Sequence, residues 1–199
     1  MKGLLLILLF LTGLAQAGFG LKQERYTLTY TQQTLRIKGQ ILVSAGETAE
    51  SLYKALRQIP TGQDLHLILD MYGGDIAVVN KAYDIIRGRC YERGYQRCQI
   101  TTEVEMFRTC ASACIPLFMV GDHRKASYRA DFGFHQASVA GGFIMIPFMS
   151  EYVLMQKGVN PAWLKAHRQM FYSLKVTWLN PAAMKGSGIV QEITTYLEN

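Results

Sequence analysis

Residues 109–120 read Thr-Cys-Ala-Ser-Ala-Cys-Ile-Pro-Leu-Phe-Met-Val, so that one serine lies between small residues inside a cysteine pair. Small neighbours permit a sharp turn and a close backbone approach, both of which an exposed nucleophile requires. The apolar run at 115–120 predicts a buried helix directly after the turn. Ser112 is therefore expected at a strand-to-helix junction, a position that a simple helix N-cap serine would also occupy.

Two further motifs lie on either side of this segment. Upstream, Asp70-Met71-Tyr72-Gly73-Gly74 separates an apolar strand at 65–69 from a helical pattern. Two glycines there allow close backbone approach, and N–H groups near a helix N-terminus suit an oxyanion or a phosphate. Downstream, His135 follows the apolar strand 132–134. A plain turn and a hydrogen-bonded core histidine are the alternative interpretations of these two motifs.

Taken together, the three motifs contain the parts that serine catalysis requires. The hydroxyl needs a base to accept its proton, and the resulting oxyanion needs hydrogen-bond donors. Ser112 supplies the hydroxyl, His135 supplies a base, and the backbone N–H groups of Gly74 and Ala113 supply two donors. This joint occurrence favours a hydrolase over the separate structural explanations.

The order of the motifs resembles the proteolytic subunit of Clp protease, and more specifically the exported ClpP-like serine peptidases of the ClpP/crotonase superfamily. The similarity covers 35–190, and it rests on four segments at 67–75, 110–121, 134–136 and 179–190.

The resemblance implies an α/β fold of the ClpP/crotonase type, built from repeated β-β-α units, with a helical handle at 137–177. It implies Ser112 as the nucleophile, His135 as the general base, and an oxyanion hole formed by Gly74 and Ala113. The handle of such proteins is often used for oligomer contacts.

One position departs from the family pattern. Aligning the tail motif places Val176 where the family carries the acid of its catalytic triad, and no Asp or Glu lies between Glu151 and Glu192. Asp131 and Asp75 are the nearest possible third members, although a charge at Asp75, directly after the glycines, would oppose an oxyanion.

A different base is a second possibility. Signal peptide peptidases of the same superfamily pair serine with lysine, and the handle region offers three lysines for that role, Lys157, Lys165 and Lys175. An exposed helical lysine is the ordinary interpretation of each, because a lysine base needs burial to lower its pKa.

The beginning of the chain predicts export. Lys2, the apolar stretch 3–14 and the small-x-small site at 15–17 are typical of a secretory signal peptide. Cleavage of these 17 of 199 residues would leave a single ClpP-like domain at 18–199. The protein is thus expected to be periplasmic or secreted, or membrane-anchored if the segment is not cleaved.

Four cysteines in an exported chain predict disulfides. Three pairings are possible, and the local one, Cys90 with Cys98 and Cys110 with Cys114, is favoured by the short spacings. A zinc site matches poorly because the cysteines lack nearby paired histidines, so no metal is expected.

Charge and compartment restrict the partners. The net charge of +6 is scattered, and its one cluster, Arg87, Arg89, Arg93 and Arg97, is typical of a solvated helix end, so no nucleic acid is expected. A peptide or protein substrate is expected, with no cofactor and no ATPase partner, because ATP is scarce outside the cytoplasm. The apolar stretch 143–149 is compatible with a homo-oligomer through the handle.

Two other functions remain open from the sequence. A non-catalytic ClpP-like binding or assembly protein is consistent with the valine at position 176. An acyl-CoA enzyme of the crotonase type would use a similar oxyanion site, but CoA is a cytoplasmic cofactor.

The remaining pattern predicts strands alternating with helices, which indicates parallel β-α units. Expected strands lie at 26–30, 34–43, 65–69, 99–104, 125–128, 132–134 and 189–190. Besides the buried helix after Ser112, expected helices begin near Glu47 and Ile76 and cover 147–157 and 161–173. A short helix is expected to begin with 180–184 and to end at the glycines of 186–188.

Overall fold

The computed structural model describes residues 26–31, 34–41, 47–92, 95–136, 154–155 and 157–195. The expected signal peptide at 1–17 lies outside these residues, as do 137–153 and 156 of the expected handle. None of the helices in the described ranges is both long enough and apolar enough to cross a membrane.

The described chain is a mixed α/β structure. Its strands are β1 (Tyr26–Thr31), β2 (Thr34–Ile41), β3 (Leu65–Gly74), β4 (Tyr91–Glu92), β5 (Tyr95–Gln96), β6 (Ile100–Val104), β7 (Thr109–Ala111), β8 (His123–Ser127), β9 (Asp131–Phe134), β10 (Thr177–Leu179) and β11 (Glu192–Thr194). Its helices are α1 (Glu47–Arg57), α2 (Ile76–Cys90), α3 (Cys114–Phe118), α4 (Pro161–Ala166) and α5 (Arg168–Phe171).

Strand β3 is the centre of the main sheet and the point where the sheet divides. One edge of β3 pairs with β2 along its length, and β2 pairs in turn with β1. The other edge pairs first with β6, which leads to β8 and β11, and then with β7, which leads to β9 and β10. All pairs of this sheet are parallel except β1–β2 and β9–β10. Strands β4 and β5 form a separate antiparallel pair.

The core forms on one face of β3, where Leu65, Leu67, Leu69 and Met71 point to the same side and are almost completely buried. The other face is more polar, and only Ile68 is buried there, between His66 and Asp70. Helices α1 and α2 pack against each other over this sheet, with apolar residues at helical spacing. The edge-to-face contact of Phe118 with Phe132, 5.1 Å between ring centroids, joins α3 to β9.

Both disulfides of the described chain follow the local pairing. Cys90 and Cys98 are joined with a Cα–Cα distance of 4.8 Å, and Cys110 and Cys114 with 5.2 Å. The first bridge precedes β6 and lies at the amino end of the parallel strands. The second lies at their carboxyl end.

The tail differs from the sequence-based expectation. Residues 181–186 form turns rather than a helix, and the last strand is Glu192–Thr194 rather than 189–190. The reason is Arg124, which is buried and donates hydrogen bonds to the carbonyls of Gly188 and Ile189, at 2.7 and 2.9 Å. Those carbonyls are thus used by a side chain, and pairing with β8 begins only at Glu192.

Two other expectations also needed correction. The helix expected at 161–173 is divided into α4 and α5 at His167, whose ring stacks on Trp163 at 4.2 Å. The sequence does not predict strands β4, β5, β7 and β10. The helix expected at 147–157 lies mostly outside the described residues.

Candidate functional site

Three adjacent parallel strands carry the predicted site residues at one edge of the sheet. Strand β3 ends with Gly73-Gly74, Ser112 follows β7, and His135 follows β9. The register pairs Met71 with Cys110 and Ala111 with Gly133, so these strand ends are level. The structure therefore brings the three motifs together at the carboxyl edge, where open α/β sheets commonly bind ligands.

Ser112 adopts a backbone conformation that is uncommon for its residue type. Its φ of 55° lies in the left-handed region, where non-glycine residues are strained. Its N–H donates to the Gly133 carbonyl at 2.9 Å, and its own carbonyl accepts from Ile115 N–H at 3.0 Å. The N-cap of α3 is Ala113, so Ser112 is not the simple helix cap that the sequence left open.

Gly73 permits the close approach of β3 to the serine. Its φ is +117°, and a Cβ at this position would lie 2.9 Å from Ser112 Cβ and 3.4 Å from Ser112 Oγ. Real Cβ atoms essentially never approach so closely, so the contact requires glycine. The next residue, Gly74, also has positive φ, 152°.

On the other side of the serine, Ala113 begins the turn into α3. Its side chain is fully buried, and no carbonyl of the described backbone accepts from its N–H outside regular helix and strand bonds. An N–H directly after a nucleophile, at the start of a helix, can bind a developing negative charge.

The contact of His135 with the Gln136 carbonyl assigns the tautomer of its neutral form. Its Nδ1 lies 2.7 Å from that oxygen, and because a carbonyl can only accept, Nδ1 carries the proton and Nε2 is the nitrogen with the lone pair in a neutral ring. The Gln136 N–H donates to the Ser173 carbonyl at 2.7 Å, which ties this segment to the approach of β10. Ser112 Oγ makes no hydrogen bond to any described residue, His135 included.

Val176 lies beside this histidine. The antiparallel pairing of Thr177 with Phe134 places Val176 opposite His135. A Cβ built at Gly133 would lie 3.0 Å from Val176 Cγ1, so the valine lies on the face of β9 to which residue 133 points. Position 135 is two residues further along and points to the same face. A carboxylate at position 176 would therefore adjoin the imidazole, as the family pattern implies.

The two other carboxylates proposed as third members lie elsewhere. Asp75 is the N-cap of α2, and its carboxylate accepts from the N–H groups of Ala77 and Val78, at 2.8 and 3.2 Å. Asp131 is exposed at the start of β9, four residues and about 13 Å of strand from His135. No described carboxylate is hydrogen bonded to the His135 ring, so the structure does not support either residue in that role.

The three lysines of the alternative base are spread over the surface. Lys157 Nζ lies 4.7 Å from the centroid of the Tyr83 ring of α2, which is within the distance of about 6 Å for a cation–π contact. Lys165 is exposed on α4, and Lys175 is exposed next to Val176. Within the described ranges, no group of three His, Cys, Asp or Glu residues is placed to hold a metal.

Gly133 is a site residue that the sequence reasoning missed. Its carbonyl holds Ser112, and a Cβ there would lie 2.7 Å from Ala111 Cβ and 2.9 Å from Trp178 Cζ3. A glycine between two phenylalanines inside a strand pattern is a signal for such close approach.

Comparison with known proteins identifies the fold. No family model matches the sequence, and no curated protein matches it. Among solved structures, the chain is similar to a mutant of ClpP1 from Listeria monocytogenes, with 17% sequence identity and a TM-score of 0.60. The similarity covers 82% of this chain and 92% of that one. The chain therefore has a ClpP-like fold.

Proposed function

We propose that this protein is an exported serine hydrolase, most simply a peptidase that acts without ATP. The observation that carries the proposal is the strained serine, held in the left-handed region at the carboxyl end of β7 and in contact with Gly73. Backbone strain of this kind clusters at functional sites. The ClpP-like fold and the two disulfides support the reaction class and the oxidising compartment.

In this mechanism His135 acts as the general base. Its unprotonated Nε2 accepts the proton of the Ser112 hydroxyl as Oγ attacks the substrate carbonyl, so a C–O bond forms and the carbonyl π bond opens. The oxyanion accepts hydrogen bonds from the N–H groups of Gly74 and Ala113. His135 then returns the proton to the leaving amine, and water releases the acyl group by the same steps. The Ser112–His135 hydrogen bond forms when substrate is bound, because such contacts are often long in a free enzyme.

The Gln136 carbonyl takes over one of the two tasks of a triad acid. It fixes the tautomer and orientation of His135 through the 2.7 Å contact with Nδ1. It is neutral, however, so it stabilises the imidazolium less than a carboxylate would. We expect a working but slow enzyme.

Exposed aromatic side chains near the strand ends favour a peptide with apolar side chains. Tyr72, next to Gly73, is 64% exposed, and Trp178, next to Gly133, is 50% exposed. Assembly into a homo-oligomer through 137–177 is part of the proposal, because this chain has a ClpP-like fold and ClpP proteins form oligomers.

The test is labelling of the mature protein with a fluorophosphonate, which reacts with activated serines. Wild type should be labelled at Ser112 in peptide mapping, Ser112→Ala should lose the label, and His135→Gln should react more slowly by about 10²- to 10⁴-fold. Lys175→Gln should react at the wild-type rate, because the base is His135. Label that persists in Ser112→Ala would exclude the nucleophile, and an unlabelled wild type would favour the non-catalytic binding protein.

A further inference from the structure

We infer that the Cys110–Cys114 disulfide is a positioning device for the nucleophile, and that acylation of Ser112 depends on it. The inference rests on the proposed function, because it assigns a role to the bridge in that same reaction. Four residues of extended chain would span about 13 Å, whereas the bridge holds the two Cα atoms 5.2 Å apart. Ser112 lies midway, two residues from each cysteine.

Both ends of the bridge are fixed in the protein core. Cys110 belongs to β7, where it pairs with Met71 of β3 and Phe132 of β9. Cys114 is the first residue of α3, and both cysteine side chains are fully buried. The bridge thus fixes the serine turn relative to the two strands that carry Gly73-Gly74 and His135.

A left-handed residue does not by itself require a disulfide, as a second turn shows. Phe107 has a φ of 58° in a turn held by backbone hydrogen bonds, from Arg108 N–H to the Glu105 carbonyl at 3.2 Å and from Phe107 N–H to the Arg129 carbonyl at 3.3 Å. Its side chain is 63% exposed, so the exact place of that side chain matters little. The left-handed conformation of Ser112 therefore does not need the disulfide, and the role of the disulfide is to fix where the Ser112 side chain lies.

The ring closed by the disulfide contains two groups that take part in the proposed reaction. Ser112 Oγ is the nucleophile, and the Ala113 N–H is one oxyanion donor. Releasing the bridge lets the turn shift against Gly74 and His135, and a displacement of about 1 Å can cost about 10²-fold in rate. Substrate contacts outside the ring are unaffected, so the chemical step should slow while binding is retained.

The experiment compares two double variants by fluorophosphonate kinetics, with separate values for the maximal rate of inactivation and the inhibitor concentration at half that rate. For Cys110→Ala/Cys114→Ala we expect a maximal rate lower by about 10- to 100-fold and a half-rate concentration within about threefold of wild type. Cys90→Ala/Cys98→Ala is the matched control. It also loses one short-range disulfide, and it should keep both wild-type values.

The outcomes separate the inference from the function it rests on. Equal maximal rates in wild type and Cys110→Ala/Cys114→Ala would overturn the positioning role and leave the hydrolase intact. A wild type that is not labelled at all would remove the proposed function itself. A fall in both double variants alike would mean general destabilisation, and it would also overturn the inference.

Two further measurements guard against a variant that does not fold. Cys110→Val/Cys114→Ala refills buried volume and should show the same loss of rate. In the Cys90→Ala/Cys98→Ala protein, dithiothreitol can reduce only the bridge around Ser112: the Sγ–Sγ bond breaks, two thiols form, and the reagent leaves as its cyclic disulfide. Molecules with two free thiols should react slowly and recover on reoxidation. Reduced molecules that react at full rate would contradict the inference.

Discussion

A short-range disulfide lies at each end of the parallel strands, but the polar groups around the two disulfides differ in how they are paired. At the amino end, Asp122 accepts hydrogen bonds from side chains of α2 and β5, and from Ile100 N–H at 3.1 Å. Tyr91, whose pKa is raised by burial and by its hydrogen bond to Asp122, completes this network at 2.9 Å. The polar groups around the Cys90–Cys98 bridge are thus extensively paired.

At the carboxyl end, the same sheet carries a strained serine whose hydroxyl makes no hydrogen bond among the described residues. Ser112 and both glycines of the β3 terminus have positive φ. The fold thus has paired charges at the amino end of its strands and the half-buried Ser112 and His135 of the proposed site at the carboxyl end. Natural proteins tend to accept such local strain where function requires it.

The largest effect on the labelling rate is expected from a substitution at Gly73, at the carboxyl end of β3. In Gly73→Ala the new Cβ would meet Ser112 at 2.9 Å, on a backbone with φ of +117°. We expect fluorophosphonate labelling to fall by about 10³-fold, because both the serine and the adjacent oxyanion donor move.

Gly62→Ala is the control at the amino end. Gly62 also has positive φ, +76°, but its nearest contact would be Arg97 Cβ at 4.0 Å. This variant should lose about 1–2 kcal/mol of stability and no labelling rate. Equal labelling losses in the two variants would show that the ends are not separate.

The next effect should appear in stability rather than reaction rate. Arg124, beside Asp122, is buried, and its guanidinium donates to the carbonyls of Gly121, Lys157, Gly188 and Ile189. Burial lowers the pKa of Arg124, and the charge of Asp122 opposes that effect. Arg124→Met leaves these carbonyls without their donor, so we expect a loss of about 2–4 kcal/mol in urea unfolding.

Arg57→Met provides the contrast, because that arginine forms an exposed ion pair with Glu50 at 2.8 Å. Its unfolding free energy should change by at most about 0.5 kcal/mol. A loss in Arg57→Met as large as in Arg124→Met would argue against the buried network as a source of stability.

A smaller effect on the acylation rate is expected from a substitution opposite His135. Val176→Asp places a carboxylate opposite the imidazole, where it can stabilise the imidazolium that the neutral Gln136 carbonyl stabilises poorly. The acylation rate should rise about tenfold, with Val176→Asn as the uncharged control. Equal acylation rates for the two variants would mean that a charge at position 176 does not stabilise the imidazolium of His135.

The smallest effect concerns the pH dependence of stability at the sheet edge formed by β11. His123 is hydrogen bonded to Glu192 at 2.8 Å, and this contact, with Lys125 nearby, holds the pKa of the Glu192 carboxyl below its ordinary value of 4.5. A lowered pKa means that the contribution is present above pH 4.5 and is lost as the pH falls through the folded-state value. As the pH falls below 4.5, the Tm of Glu192→Gln should therefore fall less than that of wild type. Plots of Tm against pH that run parallel for the two proteins would refute this contribution of Glu192.

Local pattern was enough to predict much of this architecture. The start of the apolar strand at Leu65, the helical spacing of α2 and the serine turn were found at the expected positions, because each depends on neighbouring residues. The strand is longer than expected, since pairing with β2 extends it from residue 69 to Gly74. The mixed α/β fold follows from the alternation of strands and helices.

Long-range contacts explain what the sequence did not reveal. Strand β10 is short, with exposed Val176 and Trp178, and exists because it pairs with β9. The start of β11 depends on Arg124, more than 60 residues away in the chain, which uses the preceding carbonyls. The contact of Gly133 with the serine turn likewise arises from register, which no local pattern encodes.

The most direct test of the central claim, an acyl-transfer site at the carboxyl ends of β3, β7 and β9, is a crystal structure of the phosphonylated protein. We predict phosphorus bonded to Ser112 Oγ, with the phosphoryl oxygen about 2.7–3.2 Å from the amide nitrogens of Gly74 and Ala113. A phosphonyl group on another residue, or an oxygen turned away from both amides into solvent, would contradict the account.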